Sequence, residues 1–190
     1  MHYLFPEESF KTIESIRYKI MNISVENYEI YSNSEKTLSL THHFLMVENI
    51  KSNFSFIKEI DLDSKVIIPE IGFLFKLEKI DFSEFNKNEK NCIFLDSEKI
   101  SFPLILRSRK NKDRFIPFGM KGTKKIKDFL IELKIPQRLR NRVVIVESAG
   151  KIAGVITSTA ESFIKDRISE NFKATQNSSV IKLSWERINK

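Results

Sequence analysis

Residues 104–155 read LILRSRKNKDRFIPFGMKGTKKIKDFLIELKIPQRLRNRVVIVESAGKIAGV, and this stretch decides the fold. It opens on a short apolar run, LIL, and closes on two more, VVIV and IAGV, each of strand length and rich in β-branched residues. Between them Ile126, Phe129, Leu130 and Leu133 recur at i, i+3, i+4 and i+7, the spacing of one buried helix face. Thr123 stands where an N-cap belongs, and Pro136 disfavours helical geometry at Ile135, so the spacing predicts a helix over about 124–134. Strand, basic helix, strand is the pattern of a helical element inserted into a β-rich fold.

Outward from this stretch the apolar runs continue. TLSL, HFLMVENI, FSFIKEI, KVII, GFLFKLEKI and CIFLD precede it, separated by Asn, Ser, Asp and Pro clusters, and SVIKLSWE follows it. Gly72 after Pro69 reads as a turn, and the charged DFSEFNKNEKN at 81–91 as an exposed loop. STAESFIKDRISENF fits either a short helix followed by a strand or neither pattern cleanly. At the N-terminus Pro6, Glu7 and Glu8 precede Phe10, Ile13, Ile16 and Ile20 on one face, which predicts an amphipathic helix over about 6–21. The expected class is α+β: a β-rich, sandwich-like C-terminal domain with a basic helical insertion, preceded by an N-terminal helix and short strands.

The 190 residues carry a net charge of +7, and its distribution is uneven. Arg107 to Arg142 holds thirteen Lys and Arg against Asp113, Asp128 and Glu132, whereas the remainder holds nineteen basic and twenty-two acidic residues. Such a window is the electrostatic footprint of a phosphate-neutralising surface, with a solvated lysine-rich face as the alternative. Lys124, Lys125 and Lys127 fall in the first turn of the expected helix, where its dipole opposes cations, and an anion bound there would reverse that penalty. Lys121 lies between Gly119 and Gly122. Arg138, Arg140 and Arg142 project from a short helical turn past Pro136, and Arg107, Arg109 and Arg114 come from a strand end and its loop. Asp113 among these cations reads as a loop-fixing ion pair. Phe115 and Phe118 are core plugs or base-stacking platforms; with sixteen Phe in the chain, core is the first reading.

Several function classes drop out. No apolar run reaches the ~18–20 residues of a membrane span, and the first twenty residues have no signal-type apolar segment. A lone Cys92 and three histidines, His2, His42 and His43, give no metal-ligand spacing, and a cytoplasmic setting is expected. Walker, GxGxxG, GxSxG and HExxH motifs are missing, and no catalytic residue is assigned.

The stretch from Leu104 to Val155 resembles the C-terminal domain of tRNA(Ile)-lysidine synthetase. The family pattern RxRxPGDRFxPxGMxGxKKLKDxxxDxKIPxxxRxxxP is met without gaps by Arg107, Arg109, Asp113, Arg114, Phe115, Pro117, Gly119, Met120, Gly122, Lys124, Lys125, Lys127, Asp128, Lys134, Ile135, Pro136 and Arg140. DRISENFKATQNSSVIKLSWE resembles the family's closing strands. Asn111 and Lys112 replace the Pro-Gly of the family loop, Val144 stands near its usual proline, and 156–165 looks like an insertion.

The resemblance implies residues 1–22 as a remnant of a helical middle region, 23–100 as a β-rich connecting segment and 101–190 as a tRNA-binding domain. It also implies a role in attaching lysine to the wobble cytidine of isoleucine tRNA with ATP. The SGGxDS loop of the family's ATP-pyrophosphatase domain is not among these residues, so ATP, magnesium and lysine are expected to be handled by such a domain, in cis or in trans. The tRNA-binding set implied is Arg107, Arg109, Arg114, Lys121, Lys124, Lys125, Lys127, Arg138, Arg140 and Arg142. A stand-alone RNA-binding protein and a basic protein-interaction module remain as alternatives.

Overall fold

The computed structural model describes residues 9–22, 28–32, 36–41, 44–49, 55–86, 88–135, 137–160, 166–175 and 179–188. Pro6, Glu7, Glu8, His2, His42, His43 and Pro136 lie outside them. Internal contacts divide the chain into two units, Met1–Asn53 and Phe54–Lys190.

The first unit contains α1 (Phe10–Asn22) and an antiparallel sheet of β1 (Tyr28–Ser32), β2 (Lys36–Thr41) and β3 (Phe44–Asn49) in the order 1-2-3. Ser9 starts the helix: its Oγ accepts from Thr12 N at 3.3 Å and its carbonyl from Ile13 N at 3.1 Å. Ile13 and Ile16 pack with Ile30 and Leu38. Phe10, counted above on the buried face, is exposed.

The second unit is a two-sheet sandwich with a helical layer on one side. Its strands are β4 (Ile57–Ile60), β5 (Ser64–Ile68), β6 (Phe73–Ile80), β7 (Cys92–Asp96), β8 (Leu104–Ser108) and the two-residue pair β9 (Arg114–Phe115) and β10 (Lys124–Lys125). After α2 (Ile126–Glu132) come β11 (Val144–Ser148), β12 (Lys151–Ile156), β13 (Arg167–Ile168) and β14 (Val180–Arg187). One sheet has the order 13-12-11-8-4 and the other 5-6-14-7, with every pairing antiparallel.

Period-two patterning explains why these sheets face each other. In β6, Phe73, Phe75 and Leu77 are buried while Lys76 is exposed. They meet Leu95, Leu104, Leu106, Val144, Val146, Ile181, Leu183 and Trp185 in one core. β11 is apolar at successive positions because both its faces are covered: Val144 and Val146 enter that core, and Ile145 enters a second one with Phe115, Ile126, Phe129, Leu130 and Ile135. Gly72 supplies the positive φ of 76° in the β5–β6 turn, where its N–H reaches Ile68 O at 3.0 Å.

The α+β class and the sandwich with a helical insertion are observed. Two features differ from expectation. Strands within 57–96 are not a connecting segment, since β4 pairs with β8, and β6 and β7 flank β14; the division falls at Asn53/Phe54 instead of after residues 22 and 100. The helix is also shorter than 124–134. Lys124 and Lys125 form β10, Lys125 takes the N-cap position in place of Thr123, and the helix ends before Pro136. Its end is a Schellman arrangement, with Lys134 at φ 55°, Lys134 N donating to Ile131 O at 2.9 Å and Ile135 N to Leu130 O at 3.0 Å. The uncertain stretch resolves into β13 and a short 3-10 turn at Glu170–Phe172, with 161–165, part of the suspected insertion, outside the described residues.

Candidate nucleic-acid interface

The basic window is sorted by the layer that carries it. In the β9–β10 ribbon, directly opposed residues point to one side: Lys124 faces Phe115 and Lys125 faces Arg114. Phe115 is buried in the core beneath α2, so Lys124 lies half-buried beside it and its Nζ is held by Glu132. Arg114 and Lys125 take the opposite side and are exposed. Lys127 on α2 and Lys121 in the preceding turn are exposed as well. Among the described residues none of Arg114, Lys121, Lys125 and Lys127 has a carboxylate within ion-pair distance. Like charges opposed across a ribbon repel, so an arrangement of this kind favours an external anion.

Arg107 has a different role from the one expected of it. It is 4% exposed. Its Nε donates to Glu147 at 2.7 Å, and Nη1 and Nη2 donate to Asp113 at 2.9 and 3.1 Å. Burial works against the charged guanidinium, but the hydrogen bonds to Asp113 and Glu147 outweigh it and hold the group above the usual arginine value. Asp113 also accepts from Lys110 N at 2.6 Å, which makes it the loop-fixing residue that its position among cations suggested.

Arg109, Arg140 and Arg142 are half-buried tethers. Arg140 Nε donates to Ile135 O at 2.9 Å, Arg142 Nη2 to Ile71 O at 3.2 Å, and Arg109 Nη2 reaches Asn141 Oδ1 at 3.5 Å. Burial, and then the nearby charge of Arg109, hold Arg140 below the usual arginine value. The side chain of Arg138 lies outside the described residues.

The anion site expected at the helix start is absent in that form. The helix has seven residues, Lys124 and Lys125 precede it, and Ile126 N donates to Asp113 O at 3.0 Å. Phe118, by contrast with Phe115, is exposed, with Lys173 Nζ 5.8 Å from its ring centroid.

Beside the ribbon lies an open cleft of about 320 Å³. Lys112 and Arg114 form one wall and Gly150 and Lys151, from the β11–β12 hairpin, another. Lys151 falls outside the basic window, and only the tertiary fold brings it to Arg114. The described chemistry outside this region is sparse: burial and Glu89 push the Cys92 thiol up to about 11, which leaves it a weak nucleophile. No helix among the described residues is long and apolar enough to cross a membrane.

Residues 104–185 match the family model described as the TilS substrate C-terminal domain. A tRNA(Ile)-lysidine synthase from Caldanaerobacter subterraneus subsp. tengcongensis is 37% identical over 110 residues, which is 56% of this chain and 22% of that protein. Another from Clostridium perfringens is 33% identical over 152 residues, 75% of this chain and 28% of that protein. A bifunctional TilS/HprT protein from Listeria monocytogenes is 42% identical over 78 residues, 40% of this chain and 12% of that protein. The chain thus spans about a fifth of the length of the first two curated relatives it matches. A crystal structure of a TilS C-terminal domain aligns at a TM-score of 0.59 and 25% identity over all of its own length. It covers 72% of this chain.

Proposed function

We propose, on the premise that residues 104–185 form a TilS substrate C-terminal domain, that this chain is the tRNA-gripping portion of a tRNA(Ile)-lysidine synthase and supplies RNA contacts, not the ligation step. The observation that carries the reading is the exposed, carboxylate-free set Arg114, Lys121, Lys125 and Lys127 on the ribbon and helix. A-form RNA is recognised largely through shape, phosphates and 2′-hydroxyls, which calls for cations held on a rigid frame. The Phe115–Phe129 edge contact, with ring centroids 5.1 Å apart, ties the ribbon to α2 and supplies that frame. Isoleucine tRNA in a cytoplasmic setting is the expected partner. ATP, magnesium and lysine belong, on this reading, to an ATP-pyrophosphatase domain in cis or in trans, and no residue of this chain is assigned to them.

An anisotropy titration with isoleucine tRNA, methionine tRNA and a generic RNA duplex at two salt concentrations tests the proposal. Each phosphate contact contributes about 0.7–0.9 to the log–log salt slope. Reversing Lys125 and Lys127 together (K125E/K127E) should weaken tRNA binding about tenfold or more and flatten the slope, with the melting temperature unchanged, since both side chains lie off the packed face. A folded double variant that binds like the parent would refute it.

A further inference from the structure

We propose that the cleft between the loop after β8 and the β11–β12 hairpin is a phosphate-binding site, in which Lys112, Arg114 and Lys151 hold one phosphate group of the RNA backbone. This rests on the RNA-binding reading above and names a subsite for it.

Three exposed cations from two distant parts of the chain converge there, and none of them has an ion-pair partner among the described residues. The carboxylate in the lining, Asp113, is paired with Arg107 and Lys110 N and makes no ion pair with any of the three. Asn171 adds a neutral donor to the rim.

The backbone supplies the second observation. Lys112 sits at φ 74°, a left-handed conformation unfavourable for a long side chain. On the facing rim Ala149 and Gly150 have φ 45° and 75°, and this tight hairpin sets Lys151 at the first position of β12. A strained lysine at a cleft, where glycine would relax the backbone, points to a role for its side chain there. An ammonium at Lys112, lining the same open cleft as Arg114 and Lys151, matches a phosphate oxygen set.

Binding of duplex RNA by the full chain at several salt concentrations, with Lys112→Gly, Lys151→Gln and, as a control on the other sheet, Lys65→Gln, tests the site. Lys112→Gly should separate stability from binding: Tm rises by roughly 2–4 °C as the strain is relieved, while RNA affinity falls about three- to tenfold and the salt slope drops by about 0.7–0.9. Lys151→Gln should lose the same slope without the gain in Tm, and Lys65→Gln should behave as the parent. In a parallel NMR titration with inorganic phosphate, amide shifts should concentrate at Lys112, Gly150, Lys151 and Asn171. Parental affinity and slope in both cleft variants would overturn the cleft and leave the RNA-binding reading standing. A parent chain that binds no RNA, yet shows phosphate shifts confined to the cleft, would sustain the site and overturn the RNA reading. No shifts and no RNA binding would overturn both.

Discussion

Arg107 illustrates how a residue inside a basic window can serve the fold: it lines the cleft, yet its donors are committed to protein groups. Three of its donors are taken by Asp113 and Glu147, and Nη1 also bonds Ser108 O at 3.0 Å. Replacement by Ala would strand two carboxylates in a buried site, at a cost of about 3–5 kcal/mol. Arg107→Ala should therefore lower the urea midpoint sharply, and any loss of RNA binding should track unfolding. A stably folded variant with selectively lost binding would restore Arg107 to the interface. This role was half legible in the sequence. Asp113 among cations announced an ion pair, but which arginine it holds depends on Glu147, forty residues away, brought beside Arg107 by the β8–β11 register in which Ile145 faces Arg107. The half-burial of Lys124 escapes the sequence for a similar reason: side-chain direction on a two-residue strand follows from its pairing with Phe115, and no local pattern marks so short an element.

At the scale of elements, the ends are where local reading and structure part. The apolar stripe Ile126, Phe129, Leu130 located α2, yet its start is fixed by the ribbon and its stop by Lys134 in the left-handed region, ahead of the proline that seemed to mark the boundary. The end of β12 is tied off through Asp166, whose Oδ1 accepts from Thr157 N at 2.6 Å and Ser158 N at 2.8 Å. Burial raises its pKa above the ordinary 3.8, and these hydrogen bonds only partly oppose the shift. Between 3.8 and the raised folded value the native state holds more protons than the unfolded chain, so this group's contribution to stability falls as pH rises through that window. Asp166→Asn keeps an oxygen acceptor and removes the titration. Urea melts should show its stability relative to the parent increasing from pH 4 to pH 7, whereas Asp166→Ala, leaving N–H groups unsatisfied, should lose about 1–3 kcal/mol. A parent that gains on Asp166→Asn over the same interval would contradict the assignment.

At the scale of the molecule, alternating and continuous apolar runs made the sandwich legible, because a strand buried on one face and a strand buried on both leave different patterns. Which strands share a sheet was not legible, since β14 pairs with β6 and β7 across about a hundred residues, and this pairing moves the boundary from residue 100 to Phe54. The consequence is testable by truncation. A piece covering 54–190 keeps both cores and should unfold cooperatively. A piece covering 101–190 retains β14 without β5, β6 or β7, which exposes the inward faces of Val144, Val146, Ile181 and Leu183, at ~25 cal/mol per Å² of apolar surface returned to water. The single tryptophan reports the difference. Trp185 is 4% exposed, its ring 6.1 Å from that of Phe75 and its Nε1 3.1 Å from Ser158 Oγ. Its emission should stay blue-shifted in 54–190 and move to that of a solvated indole in 101–190. A native-like spectrum and a cooperative melt in the shorter piece would mean that β4 to β7 are dispensable, and that the basic layer rests on β8, β11, β12 and β13 alone.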